Sequence, residues 1–388
     1  MTATEDGVSH WRRIAIGGGA AMFTGIALGR FTYTTMVPPL IQSGQLTELE
    51  AGYVGGANLA CFFFGAYFAE KLRSALSIRL LLSCAVWLAL LALAASAVPW
   101  GFYWLALWRG VLGAIAGVIM VQSIAFATAA APPNKRPIAA GYVYAGVGFG
   151  IFLTGTAAPT LLEYGIVWAW SGFAFAGLLS AAVAHWGWSV ADILPNATSA
   201  NPAALPTHWK WCGLIAANFL FSFGIVPHTI YWIDFLVRDV GLSMDAAGLQ
   251  WSVVGLSAFF GPLVSAAVAA RIGIPATLLI IFVLLGLGVA GPAFFAALPV
   301  LWFSSILYGG QPGLASIMAA RAREMGAAAD MPRIMRATIL ANACGAAIGG
   351  LSFPLLLDLS GNYDLLFAIG GGAMFIGALA TLSRRVPA

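Results

Sequence analysis

The sequence predicts an all-α membrane protein with twelve transmembrane helices in two six-helix bundles and both termini in the cytoplasm. Hydrophobic residues make up 61% of the 388 residues and charged residues only 8%, whereas a soluble domain carries about 25% charged residues. The apolar residues form runs of about 20, the helix length that crosses a hydrocarbon core of about 30 Å. The basic residues lie between these runs, which is how membrane topology is specified.

The hydrophobic runs define the predicted helices in chain order. The spans are 13–41, 50–70, 75–97, 101–130, 138–161, 167–190, 209–236, 244–270, 274–297, 299–320, 334–357 and 363–383. The shortest loops between predicted helices follow the third and the ninth span. If either loop were a kink within one longer helix, the number of predicted helices would be lower.

The basic residues orient the helices. Because cytoplasmic segments carry an excess of Lys and Arg, a chain with both ends inside should place its basic residues on one side. Fifteen of the eighteen fall there: Arg12, Arg13, Lys71, Arg73, Arg79, Lys135, Arg136, Lys210, Arg271, Arg321, Arg323, Arg333, Arg336, Arg384 and Arg385. Of the other three, Arg238 lies in an outer loop, and Arg30 and Arg109 lie inside predicted helices. Because this distribution places both termini in the cytoplasm, the number of membrane spans should be even.

The longest polar interruption divides the chain. It is rich in Pro, Asn, Ser and Thr, which is typical of an irregular linker. We predict an N-terminal bundle over 1–191, a cytoplasmic linker over 192–208 and a C-terminal bundle over 209–388. The loops after the second and eighth helices, GAYFAEKLR and GPLVSAAVAARIG, weakly echo each other, as in a duplicated six-helix unit.

Several classes of function are disfavoured. The net charge of +4 comes from scattered topology signals, so no nucleic-acid partner is expected. The four cysteines lie in apolar runs and are interpreted as small core residues. No metal-ligand cluster, catalytic triad spacing or phosphate-binding loop is evident. We therefore expect no enzyme activity, no cofactor and no metal, and a retained first helix in a monomer surrounded by lipid.

Three short motifs resemble the major facilitator superfamily. GAYFAEKLR at 65–73 resembles its signature between helices 2 and 3, with Glu70 where Asp is usual. RGVLG at 109–113 resembles its helix-4 motif, and GRFTYT at 29–34, followed by Pro38, resembles the first helix of the YbfB/YjiJ-type branch. The resemblance implies a central cavity lined mainly by helices 1, 4, 7 and 10. It also implies two bundles that rock to expose this cavity to each side in turn.

The loop motif predicts a cytoplasmic gate. Glu70, Lys71 and Arg73 fall at a cytoplasmic helix end, where such side chains form ion pairs and cap free carbonyls. The resemblance implies that these pairs hold the two halves together. The alternative is a solvated topology signal.

Two arginines inside helices are the main candidates for substrate binding. Such an arginine costs about 2.5–3.5 kcal/mol on insertion scales. Arg30 lies roughly 26 Å along its helix from Arg13, and Arg109 should lie at a similar depth. With no carboxylate at that level, the two charges would repel each other, and bidentate binding of an anion would relieve this. The alternatives are bonds to backbone carbonyls or a carboxylate, and for Arg109 a structural or proton-coupling role.

Further polar residues complete the predicted cavity. They are Tyr33 on the first helix, His228, Tyr231 and Trp232 on the seventh, and Tyr308 and Gln311 on the tenth. The glycines and proline around Gln311 should break or bend the tenth helix, which is tolerated where a membrane helix lines a cavity or packs closely. Asp234 and His228 are the proton-coupling candidates. The alternatives are a location in the membrane interface for Asp234 and a structural hydrogen bond for His228.

Together these observations predict a secondary active or facilitative transporter of the plasma membrane, which is the inner membrane in a Gram-negative bacterium. It would move a small organic anion by alternating access, with protons as a further partner. One alternative is efflux of apolar or cationic compounds. Another is a non-transporting sensor or scaffold, which predicts a closed cavity with both arginines paired to protein groups.

Overall fold

The computed structural model describes residues 3–190, 211–325 and 330–382, and these residues are almost entirely helical. We label the helical segments in chain order: α1 (3–42), α2 (Glu48–Ala75), α3 (Ile78–Ala95), α4 (Phe102–Ala130), α5 (Arg136–Glu163), α6 (Ile166–Trp188), α7 (Cys212–Asp239), α8 (Met244–Ile272), α9 (Ile274–Ala290), α10 (298–325), α11 (Met331–Ser360) and α12 (Tyr363–Thr381). Within this part of the chain, ten helices are long and apolar enough to cross a membrane. The two others are α2 and α10, so twelve spans and their orientation remain predictions.

Helices α1, α7 and α10 depart from regular geometry. The middle of α1, Phe23–Phe31, is π-helical and includes Arg30, and wider turns of this kind often mark functional sites. Helix α7 is interrupted at Ile225, just before a proline. Helix α10 breaks at Gly310, as its glycine- and proline-rich sequence predicted, and such breaks are tolerated where protein packs around them.

Glycines allow the helices to approach closely. A Cβ at Gly113 or Gly117 of α4 would collide with the backbone of α2. Likewise, Gly56 of α2 lies against the backbone of Gly350 of α11. Small residues of this kind are the usual contact surface between membrane helices.

Two sequence predictions have different outcomes. The linker at 192–208 lies outside the described residues, so the division into bundles remains a prediction. The cysteines are all free, but Cys84 and Cys212 are exposed, so their interpretation as core residues is wrong. Helix surfaces that face lipid are as apolar as those that face the core, so an apolar run does not reveal which side a residue occupies.

We call the face where α1 ends and α2 begins the outer side. The ends of α7 and α11 lie on the same side, as do the starts of α8 and α12. The topology prediction assigns this side to the outside of the cell.

Candidate functional site

The two membrane arginines lie next to each other. Arg109 is 1% exposed, and its Nη2 donates to the backbone oxygen of Arg30 across 3.2 Å. Its guanidinium carbon lies 4.8 Å from the centre of the Tyr33 ring. Arg30 lies over the ring of Phe62, 4.5 Å from its centre. The similar depths estimated from the sequence thus correspond to a direct contact between α1 and α4.

Asn58 of α2 positions this pair, and our sequence analysis missed it. It is 1% exposed, and its Oδ1 accepts from Nε of Arg30 at 3.3 Å. Its Nδ2 donates to the backbone oxygens of Arg109 at 3.0 Å and Gly29 at 3.3 Å. One amide therefore joins α1, α2 and α4. The available signal was a single amide residue in the middle of an apolar run.

The two guanidinium groups keep unused donors. Nη2 of Arg30 and both Nε and Nη1 of Arg109 are buried without a hydrogen-bond partner in the described part of the chain. Among the same residues, neither arginine forms an ion pair with a carboxylate. A buried polar group without a partner costs about 1–3 kcal/mol, and a charged one more. These donors would be satisfied by an anion.

A small cavity adjoins the arginines. It is lined by Arg30, Tyr33, Gly55, Asn58, Leu59, Arg109, Thr229 and Ile230. Its volume accommodates about one water molecule. The cavity must therefore widen before an organic anion can enter it.

The predicted residues of the second half form a separate cluster. Nε2 of His228 lies 2.7 Å from Oγ of Ser304, and the imidazole stacks on Trp232 with ring centres 4.4 Å apart. Trp232 donates to Ser305, which donates to Gln250. His228 therefore makes one structural hydrogen bond, while its Nδ1 is buried without a partner in the described residues, so its role in proton coupling remains a prediction. The predicted site residues are thus not all brought together.

The remaining predicted cavity residues lie around these two clusters. The hydroxyls of Tyr308 and Thr229 are 3.0 Å apart, which connects the second cluster to the arginine cavity. Gln311 is buried at the start of the second part of α10. Tyr33 donates to the backbone oxygen of Ala51 at 2.7 Å, whereas the buried hydroxyl of Tyr231 has no partner in the described residues.

A cluster of charged residues lies at the outer side, and we call it the outer cluster: Glu48, Asp234, Arg238 and Tyr363. Nη1 of Arg238 is 2.9 Å from Oε1 of Glu48 and 3.2 Å from Oδ2 of Asp234. The hydroxyl of Tyr363 hydrogen-bonds both carboxylates. Asp234 is fully buried one turn from the outer end of α7, and its alternative location at the depth of the membrane interface remains a prediction. Sequence reasoning had put Arg238 in a loop and so missed this pairing.

The residues of the predicted gating loop lie at the end of α2. Glu70 and Lys71 are exposed, and Nη1 of Arg73 donates to the backbone oxygen of Leu76 at 3.1 Å. Arg73 therefore caps one backbone carbonyl at this helix end. The gating role remains a prediction.

Comparisons with known proteins identify the type of molecule. A family model described as "Uncharacterised MFS-type transporter YbfB" matches residues 22–382. No curated protein matches the sequence. The fold is similar to that of a D-xylose–proton symporter, with a TM-score of 0.74, 16% identity, and 96% of this chain and 97% of that chain covered.

Two further structures give the same result. A mutant of the nucleoside transporter NupG has a TM-score of 0.71 and 14% identity, with 95% of this chain and 99% of that chain covered. The xylose transporter XylE from E. coli, in an inward-open conformation, has a TM-score of 0.72 and 15% identity, with coverages of 96% and 95%. At these identities the likeness shows the fold alone.

Proposed function

This chain belongs to the YbfB-type family of major facilitator transporters, a family of transporters and not of enzymes, and on this premise we propose that it carries a small organic anion by alternating access. The site is the arginine cavity between α1, α2, α4 and α7. The membrane is the plasma membrane, which is the inner membrane in a Gram-negative bacterium. The two halves of the chain act as the two rocking bundles.

The unused donors of Arg30 and Arg109 carry this proposal. Three guanidinium nitrogens are buried without a partner in the described residues, and no described carboxylate neutralises either charge. Carboxylate, sulfonate and phosphate groups match the planar donor pairs of arginine. A bound anion would satisfy these nitrogens and reduce the repulsion between the two charges.

The size of the cavity and the contacts above it support alternating access. The cavity accommodates about one water molecule. At the outer side, Thr34 of α1 donates to the backbone oxygen of Thr229 of α7, and Glu48 pairs with Arg238. Both contacts join the first half of the chain to the second. Entry from the outer side requires that they separate.

The alternative functions require a different chemistry in the arginine cavity. A cationic substrate requires a negative cavity, whereas the cavity lining contains two arginines and no acid. A sensor or scaffold predicts a closed cavity with both arginines paired to protein groups. The cavity is small and each arginine donates one hydrogen bond to protein, but three of their nitrogens have no partner in the described residues. A neutral sugar or nucleoside, as named for the similar structures, would need hydroxyl and amide groups more than guanidinium charge.

A thermal-shift screen of the purified protein tests the proposal. The probes are benzoate, methanesulfonate and methylphosphonate as anions, ethanolamine as a cation, and xylose and uridine as neutral solutes. We expect at least one anion to raise the unfolding temperature of the wild type and of Arg271→Ala, a control at an exposed arginine near the end of α8. The shift should be lost in Arg30→Ala.

Two results would contradict the assignment. One is stabilisation by an anion that survives Arg30→Ala. The other is stabilisation by a neutral solute alone. Arg109→Lys provides a second variant, since it keeps the charge but removes the paired donors of the guanidinium, and we expect it to weaken the shift.

A further inference from the structure

The outer cluster joins the two halves of the chain through hydrogen bonds that share atoms. Glu48 begins α2 of the first half, whereas Asp234 and Arg238 lie one turn apart in α7 and Tyr363 begins α12. Oε1 of Glu48 is 2.9 Å from Nη1 of Arg238 and 3.0 Å from the hydroxyl of Tyr363. Oδ2 of Asp234 contacts the same nitrogen and the same hydroxyl.

The hydrogen count of this arrangement calls for an additional proton. A tyrosine hydroxyl has one hydrogen, and Tyr363 lies within hydrogen-bond distance of two carboxylate oxygens. With both carboxylates ionised, one contact would bring two oxygens together with no hydrogen between them. A proton on Asp234 could be donated to the tyrosine oxygen, which leaves the tyrosine hydrogen for Glu48.

The charge count leads to the same conclusion. Two carboxylates share one guanidinium, so the ionised cluster carries a net charge of −1, and one proton makes it neutral. Asp234 is fully buried, where an uncompensated charge is costly. The other titratable groups that interact with members of the cluster are Tyr33 of α1 and Tyr231 and Asp239 of α7. None of them adds positive charge, and Asp239 adds negative charge when ionised.

We propose that the outer cluster binds one proton when the outer side is closed, so that protons outside the cell favour closure of the transporter. This inference rests on the alternating access proposed above. Opening removes Glu48 from the other three residues, because it alone belongs to the first half of the chain. Asp234 and Arg238 then remain as a neutral pair on α7, and the requirement for the proton disappears.

Distance measurements on the full-length protein in lipid nanodiscs test this without any anion. Spin labels are placed at Gln45→Cys and Leu359→Cys, both exposed on the outer side, after alanine has replaced the four native cysteines. Double electron–electron resonance is recorded between about pH 5 and about pH 8. We expect the short-distance, closed population to increase as the pH falls, by up to about tenfold in the closed-to-open ratio per pH unit.

Variants identify the group that takes up the proton. Asp234→Asn removes the charge that the proton would neutralise, so we expect a closed outer side with no pH dependence. Asp245→Asn is the matched control, because Asp245 is an exposed acid in the first turn of α8 on the same side, and it should keep the wild-type response. Glu48→Gln leaves a neutral pair and should also abolish the response.

Infrared difference spectra provide a second measurement on the same samples. We expect a protonated-carboxyl band at low pH in the wild type and in Asp245→Asn, and its loss in Asp234→Asn. A distance distribution that does not change with pH in the wild type would overturn the proposal. So would a pH response that survives in both Asp234→Asn and Glu48→Gln. Neither result bears on anion binding, which the Arg30 variant tests separately.

Discussion

Replacing Asn58 by Asp would place a counter-charge inside the proposed anion site. The Oδ1 atom of Asn58 is 3.3 Å from Nε of Arg30, so an aspartate of nearly the same shape would form an ion pair there. At about 4 Å and an effective dielectric constant of about 20, two unit charges interact by about 4 kcal/mol. The aspartate loses the donors to the backbone of Arg109 and Gly29, two hydrogen bonds worth about 1 kcal/mol each.

Two results follow from these magnitudes. The unfolding free energy of the unliganded protein should stay within about 2 kcal/mol of the wild type, because the ion pair offsets the lost hydrogen bonds and the approach of a carboxylate oxygen to two carbonyl oxygens. The affinity for the stabilising anion should fall by about a hundredfold or more, since the internal carboxylate removes attraction of about 3–4 kcal/mol. Binding is therefore lost while stability is retained, which a merely damaged fold would not show.

The assays are chemical unfolding for stability and titration of the thermal shift for binding. Asn58→Ala is the companion variant, which leaves both arginine charges in place and should lose about 2–4 kcal/mol of stability. Asn218→Ala is the matched control, because Asn218 is buried but, among the described residues, its amide donates to Leu214 within α7 and to no other group. Anion affinity of Asn58→Asp within threefold of the wild type would refute the reasoning.

Three further predictions concern packing and closure. Gly113→Ala should lower the unfolding free energy by about 1–3 kcal/mol because its methyl group would collide with the α2 backbone. The control Gly372→Ala has open space at its position and should not lower the unfolding free energy. Equal losses in the two variants would contradict the packing argument. Thr34→Val removes a hydrogen bond between the two halves of the chain. It should increase the population of molecules whose outer side is open, as measured by distances between spin labels there. An unchanged population would show that this hydrogen bond has no role in closure. Ser304→Ala removes the hydroxyl that hydrogen-bonds to the imidazole of His228 and should lower the unfolding free energy by about 1–3 kcal/mol in chemical unfolding. Unchanged stability would show that this hydrogen bond does not stabilise the fold.

The sequence was sufficient for properties that depend on position along the chain. Run length and hydropathy predicted the order of the helices, and counting residues from Arg13 placed Arg30 at the depth where it meets Arg109. The break in α10 at Gly310 followed from the conformational demands of glycine and proline. Each of these properties depends on run length, residue count or local composition along the chain, and not on contacts between helices.

The partners of individual side chains could not be predicted in the same way. Asn58 contacts residues from two other helices, and nothing in its own run indicates them. Arg238 was assigned to a loop because it is charged and near a helix end, although it lies in the last turn of α7 and pairs with Asp234. Exposed and core faces are equally apolar in a membrane helix, so periodicity does not reveal the direction of a side chain.

The central claim is that the arginine pair binds an organic anion, and a structure of the protein with the stabilising anion tests it most directly. We predict anion oxygens within hydrogen-bond distance of Nη2 of Arg30 and of Nε and Nη1 of Arg109, in a cavity wider than the present one. An anion bound elsewhere, with these three nitrogens taken up by protein carboxylates or backbone oxygens, would contradict the account.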